Sequence, residues 1–304
     1  MTTTRALTST TRHHKTGLLP FVIGNLLLGT IGVFVHQAQT DALTATWFRC
    51  AFGGLALTIW LYWNGRLHCL WPAREALPWV IATGSLMVMA WGLFFFAIER
   101  IPTGVAVVLF HVQPLWVMLF AAIWLKTPLG LSRVLLLIAT ILGLTLATGI
   151  LEHAAVGDIK QVFGLAEWLG VLACLIGAFC TASVTIVADR LREIPVGIIA
   201  WWQCIIGALA LCAWPIWPDW GSTWGWLASL GLIHTGLAYT LIYLGMTRLN
   251  TSRIIILQFV YPAVAVLIDW QYFNQSMSLL QGGGLALISA AIGGAELTAG
   301  HKTA

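Results

Sequence analysis

Apolar residues run along this 304-residue chain in stretches of about twenty, separated by short polar breaks. About twenty apolar residues is the length a helix needs to cross the hydrocarbon core of a bilayer. Ten such runs can be drawn, at 18–36, 42–63, 76–98, 104–125, 131–151, 164–188, 196–214, 223–246, 252–270 and 279–297. Prolines punctuate the breaks, as in Trp71-Pro72, Ile101-Pro102, Thr127-Pro128, Ile194-Pro195 and Trp217-Pro218. Within lipid every backbone amide must be satisfied inside its own segment, so the runs predict helices. The expected fold class is an all-α integral membrane protein with ten transmembrane helices.

Composition narrows this further. The chain is 59% hydrophobic and only 9% charged, whereas soluble domains carry about a quarter of their residues charged. Its formal charge of +4 comes from basic residues spread singly between apolar runs, with no stripe to hold nucleic acid. The six cysteines, Cys50, Cys69, Cys174, Cys180, Cys204 and Cys212, contain no CxxC pair. They therefore give no metal site or disulfide framework. Residues 1–17 are polar and basic and lack a small-residue cleavage site; they read as a cytoplasmic tail ahead of a retained first span.

Basic residues also orient the chain. With the N-terminus inside, Arg5, Arg12, Lys15, Arg66, Arg74, Lys126, Arg133, Arg190, Arg192, Arg248, Arg253 and Lys302 fall on one side, against Arg100 and Lys160 on the other. Lys and Arg in short loops stay on the cytoplasmic face, so both termini are expected there, in a bacterial-type cytoplasmic membrane.

An internal repeat organises the runs. TWFRCAFGGLALTIW at 46–60 matches AWWQCIIGALALCAW at 200–214 in seven of fifteen positions, among them Trp47/Trp201, Cys50/Cys204 and Gly53/Gly207. Biased composition alone would give about one or two matches. A second pair, TGVAVVLFHVQPLWVMLF from 103 and TSRIIILQFVYPAVAVLI from 251, brings Pro114 and Pro262 into register. Five spans per copy is an odd number, so the second copy must enter from the opposite side as an inverted-topology repeat. The expected units are 18–155 and 160–298, a plan shared by many secondary transporters, though also by some channels and scaffolds.

Polar groups at membrane depth are costly and mark candidate pathways. His111 and Gln113 precede Pro114 in the fourth span, and Gln258 and Tyr261 precede Pro262 in the ninth. A proline inside a helix frees a carbonyl and kinks the axis, so both prolines are candidate hinges beside candidate substrate-binding residues. His111 either binds a carboxylate or moves a proton, or else is a neutral histidine bonded across a helix interface. Such an inter-helix bond contributes about 0.6–2 kcal/mol. Trp91, Tyr239 and Tyr243 lie mid-span, with Trp91 and Tyr239 equivalent under the repeat. They offer a stacking or cation–π surface, unless they serve packing alone. His234, Gln203 and Asn25 complete the binding candidates. Arg49 lies about two turns into the second span, and a structural ion pair with Glu99 is expected, with Asp41 nearby; contact with a substrate carboxylate is the other reading.

TWFRCAFGG, AIERIPTGVAVVLFHVQPLWVMLF and GMTRLNTSRIIILQFVYPAVAVLI together resemble the drug/metabolite transporter superfamily in its EamA-type, ten-helix form. Such proteins often carry Gly-Glu about a dozen residues after each matching proline; here those places hold Lys126-Thr127 and Asn274-Gln275. The resemblance implies export of amino acids or related metabolites, with the aromatic-amino-acid exporters as the first comparison. It also implies a central cavity lined by spans one to four and six to nine. No GxxxxGK[ST], HExxH or GxSxG motif is present, so no catalytic residue, cofactor or metal is expected. Partners are a small-molecule substrate and the lipid bilayer. Export of cationic drugs would call for a mid-span carboxylate, and Glu167, near the start of the sixth span, comes nearest. An intramembrane enzyme built on His111 or His234 with Ser183, and a non-transporting membrane protein, are the remaining readings.

Overall fold

A computed structural model describes residues 17–124, 164–191, 193–249, 260–273 and 278–300, with residue 257 and isolated positions between 135 and 146. Every regular element among the described residues is helical. In chain order these are α1 (Gly17–Ala38), α2 (Ala42–Trp63), α3 (Leu77–Ile98), α4 (Thr103–Phe110), α5 (Gln113–Trp124), α6 (Leu165–Ala188), α7 (Val196–Ala210), α8 (Ser222–Met246), α9 (Val260–Gln271) and α10 (Leu279–Gly300). Helices α4 and α5 are the two halves of the fourth apolar run. The fifth run lies outside the described residues except for isolated positions.

Among the described residues, five helices, α1, α2, α3, α6 and α8, are long and apolar enough to cross a membrane. Their outward faces carry exposed Leu19, Leu55, Ile81, Leu172 and Leu237, a surface suited to acyl chains rather than water. The interior holds Phe21, Ile31, Phe48, Leu57, Phe95 and Leu227, all essentially inaccessible.

Several helices break or end where the apolar runs do not, each for a local reason. The fourth run breaks at His111-Val112, and Pro114 becomes the second residue of α5, where its missing N–H has no partner to lose. The seventh run was expected to reach 214, but α7 ends at Ala210. Pro215 would clash with the carbonyl of Leu211 in a continued helix. In α8, residues Leu232–Leu237 form a π-helical turn between two α-helical halves.

The two copies pack through matching elements. Helix α6 lies along α3, α8 along α1 and α2, α7 along α2 and α3, and α9 along α4. At the α2–α7 contact, a Cβ on Gly207 would strike Cys50, and one on Gly53 would meet Cys204 Sγ at 3.4 Å. The Trp47 indole N–H donates to the Ala208 carbonyl at 3.0 Å. Its mate Trp201 donates to the Thr58 hydroxyl at 2.7 Å, which in turn donates to the carbonyl of Gly54, the residue equivalent to Ala208. Exchanging the two helices thus regenerates nearly the same contact, as a local two-fold relation requires.

Candidate functional site

Arg49 lies at the centre of this arrangement, seven residues into α2 and next to Cys50 of the two-fold contact. It is only 3% exposed. Its Nε donates to the Thr235 hydroxyl at 2.9 Å, and its Nη2 donates to the Tyr239 hydroxyl at 3.1 Å. Three rings surround the guanidinium: Trp91 at 4.7 Å, Phe95 at 5.6 Å and Tyr239 at 5.9 Å. Trp91 and Tyr239 stand 6.4 Å apart at 46°, and Tyr243 follows Tyr239 at 5.9 Å. The repeat-equivalent aromatics from the two halves therefore meet, with the arginine between them.

The expected Arg49–Glu99 pair does not form. Glu99, just beyond α3, binds Arg100 at 2.8 Å, the one ion pair among the described residues. Asp41 is occupied as the N-cap of α2, accepting from the amides of Leu43 and Thr44 at 3.0 Å each and from the Thr44 hydroxyl at 2.6 Å. Helical rise explains the separation: Arg49 is eight residues past Asp41, about 12 Å down the axis. Burial raises the Glu99 carboxyl above its ordinary value, against the pull of Arg100. A cavity of about 610 Å³ opens at this end, lined by His36, Gln39, Glu99, Arg100, Pro102 and Phe273 among others.

The π-helical turn of α8 positions the neighbouring polar groups. An extra residue in the turn sends His234 to α1 and Thr235 to α2. The Thr30 hydroxyl lies 2.8 Å from the Leu27 carbonyl and in hydrogen-bond contact with His234 Nε2 at 3.0 Å. Phe34 packs edge-on against the His234 ring at 4.5 Å. Close packing of α2 holds the turn: a Cβ on Gly53 would sit 2.8 Å from Thr235 Cγ2.

The model of the EamA-like transporter family matches residues 15–149 and again 168–295. The chain belongs to the EamA-like transporter family. It is 25% identical over 284 residues to a Bacillus subtilis protein named uncharacterized transporter YxxF, covering 92% of this chain and 89% of that one. An uncharacterized transporter of Archaeoglobus fulgidus is 26% identical over 286 residues, covering 91% and 94%. The pseudopaline exporter CntI of Pseudomonas aeruginosa is 27% identical over 131 residues, 42% of this chain and 45% of that protein. A solved crystal structure superposes with a TM-score of 0.65 over 93% of this chain and 98% of its own at 20% identity, a likeness of fold. The protein is thus a multi-pass membrane transporter whose family domain occurs twice.

The remaining sequence candidates of this transporter fall into three groups. His111 bonds through Nδ1 to its own helix at the Val107 carbonyl, 2.7 Å, and its ring meets Tyr261 at 5.1 Å. Asn25 and Gln203 are buried, Asn25 donating to the Phe21 carbonyl at 2.9 Å, while Gln113 donates to the Thr185 hydroxyl on α6 at 2.9 Å. Pro262 is buried within α9, and Gln258 lies outside the described residues. Thr235, Thr30 and Phe95 were not singled out from sequence. Phe95 sits in an apolar FFF run that reads as packing, but at the spacing that pairs Trp91 with Tyr239 it is the mate of Tyr243.

Proposed function

We propose that this transporter exports amino acids, aromatic ones foremost, or related small metabolites from the cytoplasm by alternating access about the interface of its two halves. The observation that carries this reading is the Arg49, Trp91 and Tyr239 cluster, drawn from both halves beside the α2–α7 two-fold contact. Five-helix units at 18–155 and 160–298, related by inversion, would let near-equivalent packings exchange roles and open the site first to one face and then to the other. Both termini lie in the cytoplasm on this reading, and the cavity at Glu99 and Arg100 is the outer vestibule. The pseudopaline exporter among the relatives supports export of a metabolite. A buried cation at the centre weakens the alternative of cationic drugs, which it would repel.

Proteoliposome uptake of labelled L-phenylalanine, L-tryptophan and L-leucine tests the proposal. Saturable uptake of the aromatic pair, reduced at least about ten-fold by Trp91→Ala, is expected. Uptake that never saturates, or that is untouched by Trp91→Ala, contradicts it.

A further inference from the structure

Arg49 carries a charge that its packing does not require. Under the repeat its mate is Gln203, so the two halves supply matched aromatic walls, Trp91 with Tyr239 and Phe95 with Tyr243, but a cation from one half only. Tying α2 to Thr235 and Tyr239 takes one or two donors, and an amide like that of Gln203 has two without the cost of burying charge. A guanidinium has five N–H groups in a planar fork. One is spent on Thr235 and one on Tyr239. The outer edge, formed by Nη1 and the second hydrogen of Nη2, has no protein acceptor among the described residues. The buried side-chain atoms there without a partner are Trp116 Nε1 and His234 Nδ1. The Arg49 nitrogens are not among them, and the edge they form is unpaired within the described residues. That edge is the one which grips a carboxylate through two parallel hydrogen bonds.

We propose that Arg49 is the carboxylate-binding residue of the transport site, so that every good substrate carries a carboxylate on the Nη edge and rests its remainder against Trp91 and Tyr239. This rests on the transport reading above and names its substrate class. One guanidinium balances one negative charge, which suits a carboxylate and leaves a phosphate dianion short of compensation. Arg100 does not compete for the role, because Glu99 already neutralises it. Trp91, Phe95 and Tyr239 hold the guanidinium within cation–π range.

The test is thermal unfolding of the purified full-length protein in detergent at matched ionic strength, with phenylacetate against phenylacetamide and L-phenylalanine against L-phenylalaninamide. A ligand that binds the folded state raises Tm by mass action. The acids should raise Tm, and the amides should need at least about ten-fold higher concentration for the same shift. Arg49→Gln should abolish the acid's advantage, and Arg49→Lys, which keeps the charge without the fork, should retain part of it. Equal shifts from acid and amide, no shift from any acid, or a full acid shift in Arg49→Gln overturns the proposal. If Arg49→Gln does not fold, the acid and amide pair on the unaltered protein decides alone. Absent amino-acid flux with the acid preference intact sinks the amino-acid reading and leaves Arg49 as the carboxylate site. Flux without that preference does the opposite.

Discussion

A charged side chain at the centre of a bilayer costs about 2.5–3.5 kcal/mol on insertion scales, and Arg49 offsets this with no counter-ion among the described residues. Two hydrogen bonds from a charged donor contribute about 1.5–3 kcal/mol each, and cation–π contact adds about 0.5–2 kcal/mol. Neutral partners of this kind keep the charge in place and leave it uncancelled. The site also depends on residues with no side chain to offer. A Cβ on Gly231 would lie 2.6 Å from the Gly53 backbone nitrogen, an atom that cannot swing aside. Gly231→Ala is therefore expected to lower stability by about 1–3 kcal/mol through overpacking, read as a drop in Tm. Gly225→Ala, with nothing within 4 Å of its Cβ, should leave Tm unchanged or raise it slightly through helix propensity. The reverse order would contradict the packing described. At this scale the sequence was partly legible. Trp91, Tyr239 and His234 stood out as aromatic or polar groups at membrane depth, and the structure brings them near Arg49. The pairing of Arg49 was misread because Asp41 and Glu99 lie at the same end of the bundle, at the start of α2 and just past α3, whereas a helical rise of about 12 Å carries Arg49 away from Asp41. Thr235 gave no signal, because a threonine in an apolar run is as often bonded to its own helix.

Helix lengths followed from hydropathy wherever the chain is regular. The second run was drawn at 42–63 and α2 occupies Ala42–Trp63. Mismatches cluster where local covalent chemistry intervenes, as at Pro215, which stops α7 early, and at the His111-Val112 break ahead of Pro114. The π-helical turn of α8 left no mark in hydropathy, since one extra residue among apolar neighbours changes neither length nor composition measurably. It can be tested directly. Deleting Leu237, an exposed residue at the end of the turn, removes the extra residue while keeping Tyr239 and Tyr243 in register. His234 and Thr235 then lose the wide turn that directs one to Thr30 and the other to Arg49. A protein that remains monodisperse but transports at least about ten-fold more slowly is expected. Unchanged transport would mean that the turn serves packing alone.

For the molecule as a whole, the repeat was the most informative feature of the sequence, because segments it pairs pack against each other in the structure. The seven identities between 46–60 and 200–214 include the residues that touch across the α2–α7 contact, Cys50 with Gly207 and Cys204 with Gly53. On the proposed mechanism, near-symmetry would give two similar packings of small energetic difference, and the single asymmetric charge of Arg49 would give them one shared site. Alternating access differs from a pore in one decisive respect: a single site faces one side at a time, so substrate on the far side loads it, returns with it and competes with label for exit. Counterflow in proteoliposomes tests this, using vesicles loaded with unlabelled L-phenylalanine and diluted into a trace of the labelled compound. Transient accumulation of label above its external concentration, abolished by Trp91→Ala, is the predicted result. Label that only equilibrates, at a rate indifferent to the internal load, would contradict a single site shared by the two halves.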